Sequence, residues 1–108
     1  MATIVRGPQA DKYVDAIKRR LDEYERAYPG SSAEVYRQNT ASIRIRVIDE
    51  RFTGMSRGER HDAVWDFLYA GLDEDTLQEI SVLLPLTRSE KPTLLMSQEF
   101  DDPIPSSF

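Results

Sequence analysis

The chain contains no cysteine, which excludes disulfides, thiolate metal sites and a cysteine nucleophile from the chain acting alone. Any redox chemistry has to come from a partner. It has a single histidine, and one imidazole with scattered serines does not assemble a nucleophile, a base and an orienting acid. Walker and dinucleotide fingerprints are also missing. The segment from Met1 to Gly7 has neither a basic flank nor a long apolar core, so no secretory signal or membrane span is visible and a cytoplasmic protein is expected. Catalysis is not expected.

What is present suits one small domain. A chain of 108 residues buries roughly two thirds of its unfolded surface, so a single modest core is expected. With 14 Lys and Arg against 19 Asp and Glu, the formal charge is −5. That balance disfavours non-specific attraction to nucleic acid or an anionic membrane unless a local basic patch outweighs the mean.

Between Asp11 and Tyr28, the residues Tyr13, Val14, Ile17, Leu21, Tyr24 and Tyr28 recur at helical spacing, with Asp15, Lys18, Arg19, Asp22 and Arg26 on the other face. Pro29-Gly30 stops that helix. Ala33 to Gln38 and Ser42 to Ile48 read as the strands of a hairpin turning at Asn39-Thr40. In the second strand Ile43, Ile45 and Val47 point one way and Arg44 and Arg46 the other. One sheet face is therefore buried, and the opposite face, which Tyr36 shares, starts out cationic. Ser56-Arg57-Gly58-Glu59 has the spacing of a capping box and opens a second helix at about Arg57. His61, Val64, Trp65, Leu68 and Leu72 then form the stripe that packs on the sheet, with His61 on the apolar side. Asp73-Glu74-Asp75 reads as a turn or short helical connection. Glu79 to Leu86 reads as a third strand, and Pro85 places it at an edge or a strand end.

Strands joined through a helix run parallel. The expected fold is an α+β domain, a single αββαβ two-layer sandwich whose three-stranded mixed sheet carries its helices on one face. Residues 1–9 read as a flexible N-terminus, 10–90 as the domain and 91–108 as a tail. The tail holds Pro92, Pro103 and Pro105, the apolar residues Leu94, Leu95, Met96 and Phe100, and the acidic pair Asp101-Asp102. It is expected to fold across the open sheet face, over Tyr36 and Leu83, with its acids near Arg44 and Arg46.

The run Arg51-Phe52-Thr53-Gly54, followed after five residues by Arg60-His61, sits where a strand hands over to an amphipathic helix. In type and spacing Phe52, Gly54, Arg60 and His61 resemble the hairpin-to-helix signature of the BolA-like family, and Val64 and Leu68 fit its following helix. The close likeness covers about residues 42–68, and the order of elements extends it over 10–90. The resemblance implies a fold similar to the type II KH domain. It also implies a non-catalytic interaction module that pairs with a monothiol glutaredoxin, shares an iron–sulfur cluster with it, and serves iron or redox homeostasis. The family often adds a C-terminal helix, which Thr87-Arg88-Ser89-Glu90 has the spacing to cap, although Pro92 limits its extent. Homodimerisation through an open sheet edge or the tail is a further expectation.

The chain departs from the family at the cluster ligands. Glu79 stands where the family carries a His just before the third strand, and the hairpin loop, Gln38 to Ser42, offers neither His nor Cys. Carboxylate and neutral polar groups suit iron–sulfur sites poorly, so cluster ligation is expected to be weakened or lost, and no cofactor is expected on the chain alone. Each signature residue also has a plainer reading. Phe52 is a hydrophobic plug and Gly54 a positive-φ turn residue. His61 is a ring with one nitrogen bonded, and Arg57 and Arg60 are capping-turn charge paired with Glu59, Asp62 or the tail.

Arg44, Arg46, Arg51, Arg57, Arg60, His61 and Glu79 form the candidate set for binding a partner or nucleic acid. The alternative function is a KH-like nucleic-acid-binding or transcription-regulatory protein, because KH folds grip a strand with a Gly-x-x-Gly loop and a basic groove. The corner here, Gly54-Met55-Ser56-Arg57-Gly58, is one residue longer than that loop. Net acidity and weak aromatic interleaving among the arginines argue against an efficient phosphate funnel.

Overall fold

Within residues 2–6, 11–40 and 42–90, which the computed structural model describes, the order is β1 (Thr3–Arg6), α1 (Lys12–Ala27), β2 (Ser32–Asn39), β3 (Ser42–Ile48), a 3-10 turn (Glu50–Phe52), α2 (Arg57–Gly71), α3 (Glu74–Glu79) and β4 (Ile80–Leu86). The strands form one mixed sheet in the order β1-β2-β3-β4. β2 and β3 are antiparallel, whereas β1 runs parallel to β2 and β4 parallel to β3. A crossover through α1 thus precedes the hairpin and another through α2 and α3 comes after it. The expectation of three strands is corrected to four. Thr3–Arg6, read from the sequence as part of a flexible N-terminus, is too short to show alternation by itself, and its pairing with β2 defines it.

Local chemistry sets the helix boundaries. The Asp11 carboxylate accepts from the amides of Tyr13 at 3.1 Å and Val14 at 3.2 Å, satisfying donors that the first turn leaves unpaired. After α1 the chain turns through Gly30 at φ 93°, a conformation open to glycine. The capping box at α2 forms as its spacing predicts, with Glu59 N donating to Ser56 Oγ at 3.2 Å and Ser56 N to Glu59 Oε1 at 2.8 Å. Asp73 caps α3 through the Thr76 amide at 2.8 Å.

One core cluster unites Val14, Ile17, Leu21 and Tyr24 of α1, Val64 and Leu68 of α2 and Leu77 of α3 with Ala33, Val35, Ile43, Ile45 and Val47 of the hairpin. Phe52 enters it at 1 % exposure, the plug expected of it, and Gly54 comes next at φ 84°. Burying a side chain of this size contributes roughly 1.5–3 kcal/mol, so the corner between β3 and α2 is held from below.

A register irregularity between Ile43 and Arg44 pairs Arg44 with Val82 and Ile45 with Leu83. Leu83 therefore joins the helix-side core instead of the open face where it was expected, and the shift leaves Val82, Leu84 and Leu86 on that other face. Among the described residues β4 lies at a sheet edge, the position its Pro85 indicates. The expectation that the tail crosses the sheet falls on residues 91–108, outside the described residues. Among the described residues no helix is long and apolar enough to cross a membrane.

Candidate partner-binding groove

Because α2 begins at Arg57, its first turns present Arg57, His61 and Trp65 at four-residue intervals along one side. Opposite them runs the edge strand β4. Two adjoining hollows separate helix and strand. One of about 310 Å³ is lined by Arg57, Arg60, His61, Leu83, Leu84, Pro85, Leu86 and Glu90. The other, of about 180 Å³, is lined by His61, Trp65, Ile80, Ser81, Val82 and Leu83. They share His61 and Leu83, and together make a groove along the strand edge with an aliphatic wall and a polar, aromatic rim.

His61 is half exposed and stacks on Trp65, with ring centroids 6.1 Å apart and an interplanar angle of 18°. This corrects the expectation that His61 lies on the apolar side. The buried line of α2 is Arg60, Val64 and Leu68, one position round the helix, because Arg60 is drawn inward. Its Nε donates to Met55 O at 3.1 Å and its Nη1 to Glu90 Oε1 at 2.6 Å. Glu90 also accepts from the Thr87 amide at 2.8 Å. The Arg60 hydrogen bond, and after it that amide, holds the Glu90 carboxyl down at about 2. Arg60 and Glu90 therefore close one end of the groove as a neutralised pair. Arg57 is exposed and has no ion-pair partner among the described residues.

The remaining candidates lie elsewhere. Arg46 is fully buried on the far sheet face and grips Glu34, its Nη2 lying 2.7 and 2.6 Å from the two carboxylate oxygens. Arg44 shares that face and donates to Tyr36 Oη at 3.3 Å. Arg51 packs over the Tyr28 ring at 3.5 Å and donates from Nε to Asp49 Oδ2 at 3.1 Å. Glu79 accepts from Arg37 at 3.0 Å, and Arg37 also bonds Asp11 at 2.7 Å. The Arg37 hydrogen bond lowers the Asp11 pKa despite the opposing effect of burial.

Of the sequence candidates, only Arg57, Arg60 and His61 come together. Phe52 and Gly54 shape the turn beneath them. Trp65, Leu84 and Glu90 were not singled out as site residues, although the four-residue step from His61 to Trp65 and the edge position marked by Pro85 were signals for two of the groove's walls.

An iron–sulfur cluster requires thiolate or imidazole donors. The donor set here does not fit one, since His61 is the only imidazole, cysteine is absent and the Glu79 carboxylate is held by Arg37. Among the described residues no group of three or more His, Cys, Asp or Glu side chains is placed to hold a metal ion. No family model matches the chain, and comparisons with curated proteins and with solved structures find no match.

Proposed function

We propose that the chain is a non-catalytic interaction module of BolA-like, type II KH-like architecture whose groove between α2 and β4 receives a protein partner. The groove itself carries the reading. A strand edge that has no further strand paired to it among the described residues offers main-chain hydrogen bonds to an added segment, while Trp65, His61 and Arg57 supply an aromatic and cationic rim of the kind that dominates protein interfaces. The element order from α1 to β4 supports the architectural likeness, and the partner class it implies is a monothiol glutaredoxin. The engagement of Glu79 by Arg37 supports a partnership that draws no second cluster ligand from this chain.

The test is a titration with apo and cluster-loaded monothiol glutaredoxin under anaerobic conditions. It is monitored by the emission of Trp65, the only tryptophan, and by the mass of the complex. A saturable change is expected, weakened at least about tenfold, equivalent to ~1.4 kcal/mol, in the double variant Arg57→Ala with His61→Ala. The cluster's visible absorption should stay as it is in the glutaredoxin alone and change only with Glu79→His. Absence of binding by native chain and variant alike would remove glutaredoxin as the partner.

Nucleic-acid binding is the less favoured reading. Arg46, Arg51 and Arg60 are each committed to an internal carboxylate, and the turn between α2 and α3, Gly71-Leu72-Asp73-Glu74, is acidic. Among the described residues little cationic surface is left at the groove to release counterions.

A further inference from the structure

Arginines of this domain lie against aromatic rings and pair with a carboxylate at the same time. The Arg20 guanidinium is 3.8 Å from the centre of the Phe67 ring and bonds Glu23 at 2.8 Å. Arg51 is 3.5 Å from the centre of the Tyr28 ring and pairs with Asp49 at 3.1 Å, and Arg60 is 5.9 Å from that of Phe52 and pairs with Glu90 at 2.6 Å. A guanidinium is planar, forked and weakly hydrated, so it gains from a ring face and from a carboxylate together. In the angle between α2 and α3 the ring and the carboxylate recur with no described arginine beside them. A hollow of about 340 Å³ there is lined, among the described residues, by Tyr69, Leu72, Glu74 and Leu77. Tyr69 is the most exposed large hydrophobic residue among those described, at 68 %.

We propose that this hollow is a second interaction site, which takes an arginine side chain presented by a basic segment of a protein partner. The guanidinium lies flat on Tyr69 and donates to Glu74, and its methylene stem covers Leu72 and Leu77. The surroundings favour a cation. Asp66 precedes Tyr69 by three residues on the exposed side of α2, and Asp73 and Asp75 flank Glu74. No described Lys or Arg pairs with Asp66, Glu74 or Asp75. The charge of Lys12 acts on Asp73, while its ammonium sits 5.0 Å from the centre of the Tyr13 ring. The last turn of α2 holds no basic residue, although the carbonyl end of a helix attracts cations. Arg20 reaches Phe67 O on the side of the helix that carries Gly71, and Tyr69, two residues from each, faces away from it. None of the four lining residues belongs to the groove. Tyr69 stands one turn beyond Trp65, so a partner seated in the groove meets the hollow by continuing along α2. The inference does not depend on the identity of that partner.

The probe is a short capped peptide with one arginine among alanines, titrated into the nitrogen-15 full chain at low salt, with its citrulline and lysine counterparts as controls. Citrulline keeps the shape of the guanidinium and lacks its charge. The amides of Tyr69, Leu72, Glu74 and Leu77 should shift together and saturably with the arginine peptide and stay in place with the citrulline peptide. The lysine peptide should bind at least about threefold more weakly, because an ammonium has neither the plane nor the fork. Glu74→Gln and Tyr69→Ser should each weaken the arginine peptide at least about threefold. Both positions are exposed, so the fold is kept, and unchanged signals elsewhere in the spectrum check that. The absence of a saturable shift, an equal response to citrulline or to lysine, or full affinity in either variant overturns the proposal. So does a concentration dependence of the same amides without peptide, which would mean that a second copy of the chain fills the hollow.

Discussion

Tyr24→Phe removes one oxygen from the point where the end of α1 is tied to the corner below the groove. Tyr24 is 1 % exposed, and its hydroxyl donates to Asp49 Oδ2 at 2.8 Å and accepts from Arg51 Nη2 at 3.1 Å. The ring lies 4.8 Å from Tyr28 and 5.2 Å from Phe67 between centroids, and phenylalanine keeps both contacts. A hydrogen bond to a charged group contributes about 1.5–3 kcal/mol net. Asp49 keeps the Arg51 amide at 3.0 Å and the Arg51 Nε at 3.1 Å, so its charge is not stranded and the lower figure applies, about 1.5 kcal/mol. For a domain of this size that corresponds to a Tm lower by roughly 6–12 °C. Thermal and urea unfolding monitored by circular dichroism would measure it, with an unchanged urea slope showing that the denatured state is the same. A cycle with Asp49→Asn should show coupling of about 1 kcal/mol. Burial, then the bond to Asp49, raises the Tyr24 pKa from its ordinary 10.0. The associated stability is therefore fully present below pH 10.0 and is lost as pH rises through the higher folded value. Tyr24→Phe should flatten that alkaline limb. A loss below about 0.5 kcal/mol, or additivity in the cycle, would refute the bridge as a stabilising contact.

Three further substitutions probe the same region. Glu90, held at about 2, contributes stability that is present above its ordinary 4.5 and lost as pH falls toward 2. Because its side chain is 39 % exposed, solvent screening limits the effect to about 1 kcal/mol. Glu90→Gln should remove that share from urea midpoints at neutral pH and flatten their acid dependence. Gly54→Ala adds a Cβ that meets nothing within 4 Å but sits at φ 84°, so strain alone should cost about 1–2 kcal/mol in chemical denaturation. At Gly71 an added Cβ would collide with the Arg20 guanidinium, which donates to Phe67 O at 2.9 and 2.7 Å and lies 3.8 Å from the centre of the Phe67 ring. Gly71→Ala should cost about 1–2 kcal/mol, and much less when Arg20→Ala is already present.

Periodicity and capping chemistry carry far in this chain. The α1 stripe, the two-residue alternation of β3, the Ser56 to Glu59 box and the edge position signalled by Pro85 are local patterns, and each forms as read. What is not local was missed. β1 exists through its pairing with β2, and four residues cannot announce a partner far along the chain. Leu83 changed sides because of a register irregularity opposite Ile43 and Arg44, which alternation within β4 cannot reveal. His61 left the apolar side because Arg60 found Met55 O and Glu90, a pairing thirty residues apart that a helical wheel treats as a buried charge and rejects.

The same cause explains why the arginines misled as a group. Along the sequence Arg44, Arg46, Arg51, Arg57 and Arg60 look like one basic stretch, but the β3 pleat sends the first two to the far sheet face, while the corner sends Arg51 to Tyr28 and Asp49. Fold topology divides what the sequence gathers, and among the described residues Glu34 of the neighbouring strand, Asp49 of the same turn and Glu90 after β4 pair with Arg46, Arg51 and Arg60. The field at the groove is consequently set by Arg57 near a closed Arg60–Glu90 pair, and opposed by the net charge of −5. Such a surface selects by shape and by main-chain edge more than by charge, so weak salt dependence is expected for its partner. A steep dependence, with log affinity falling several-fold faster than one counterion would give, would instead require the internal arginine pairs to open on binding.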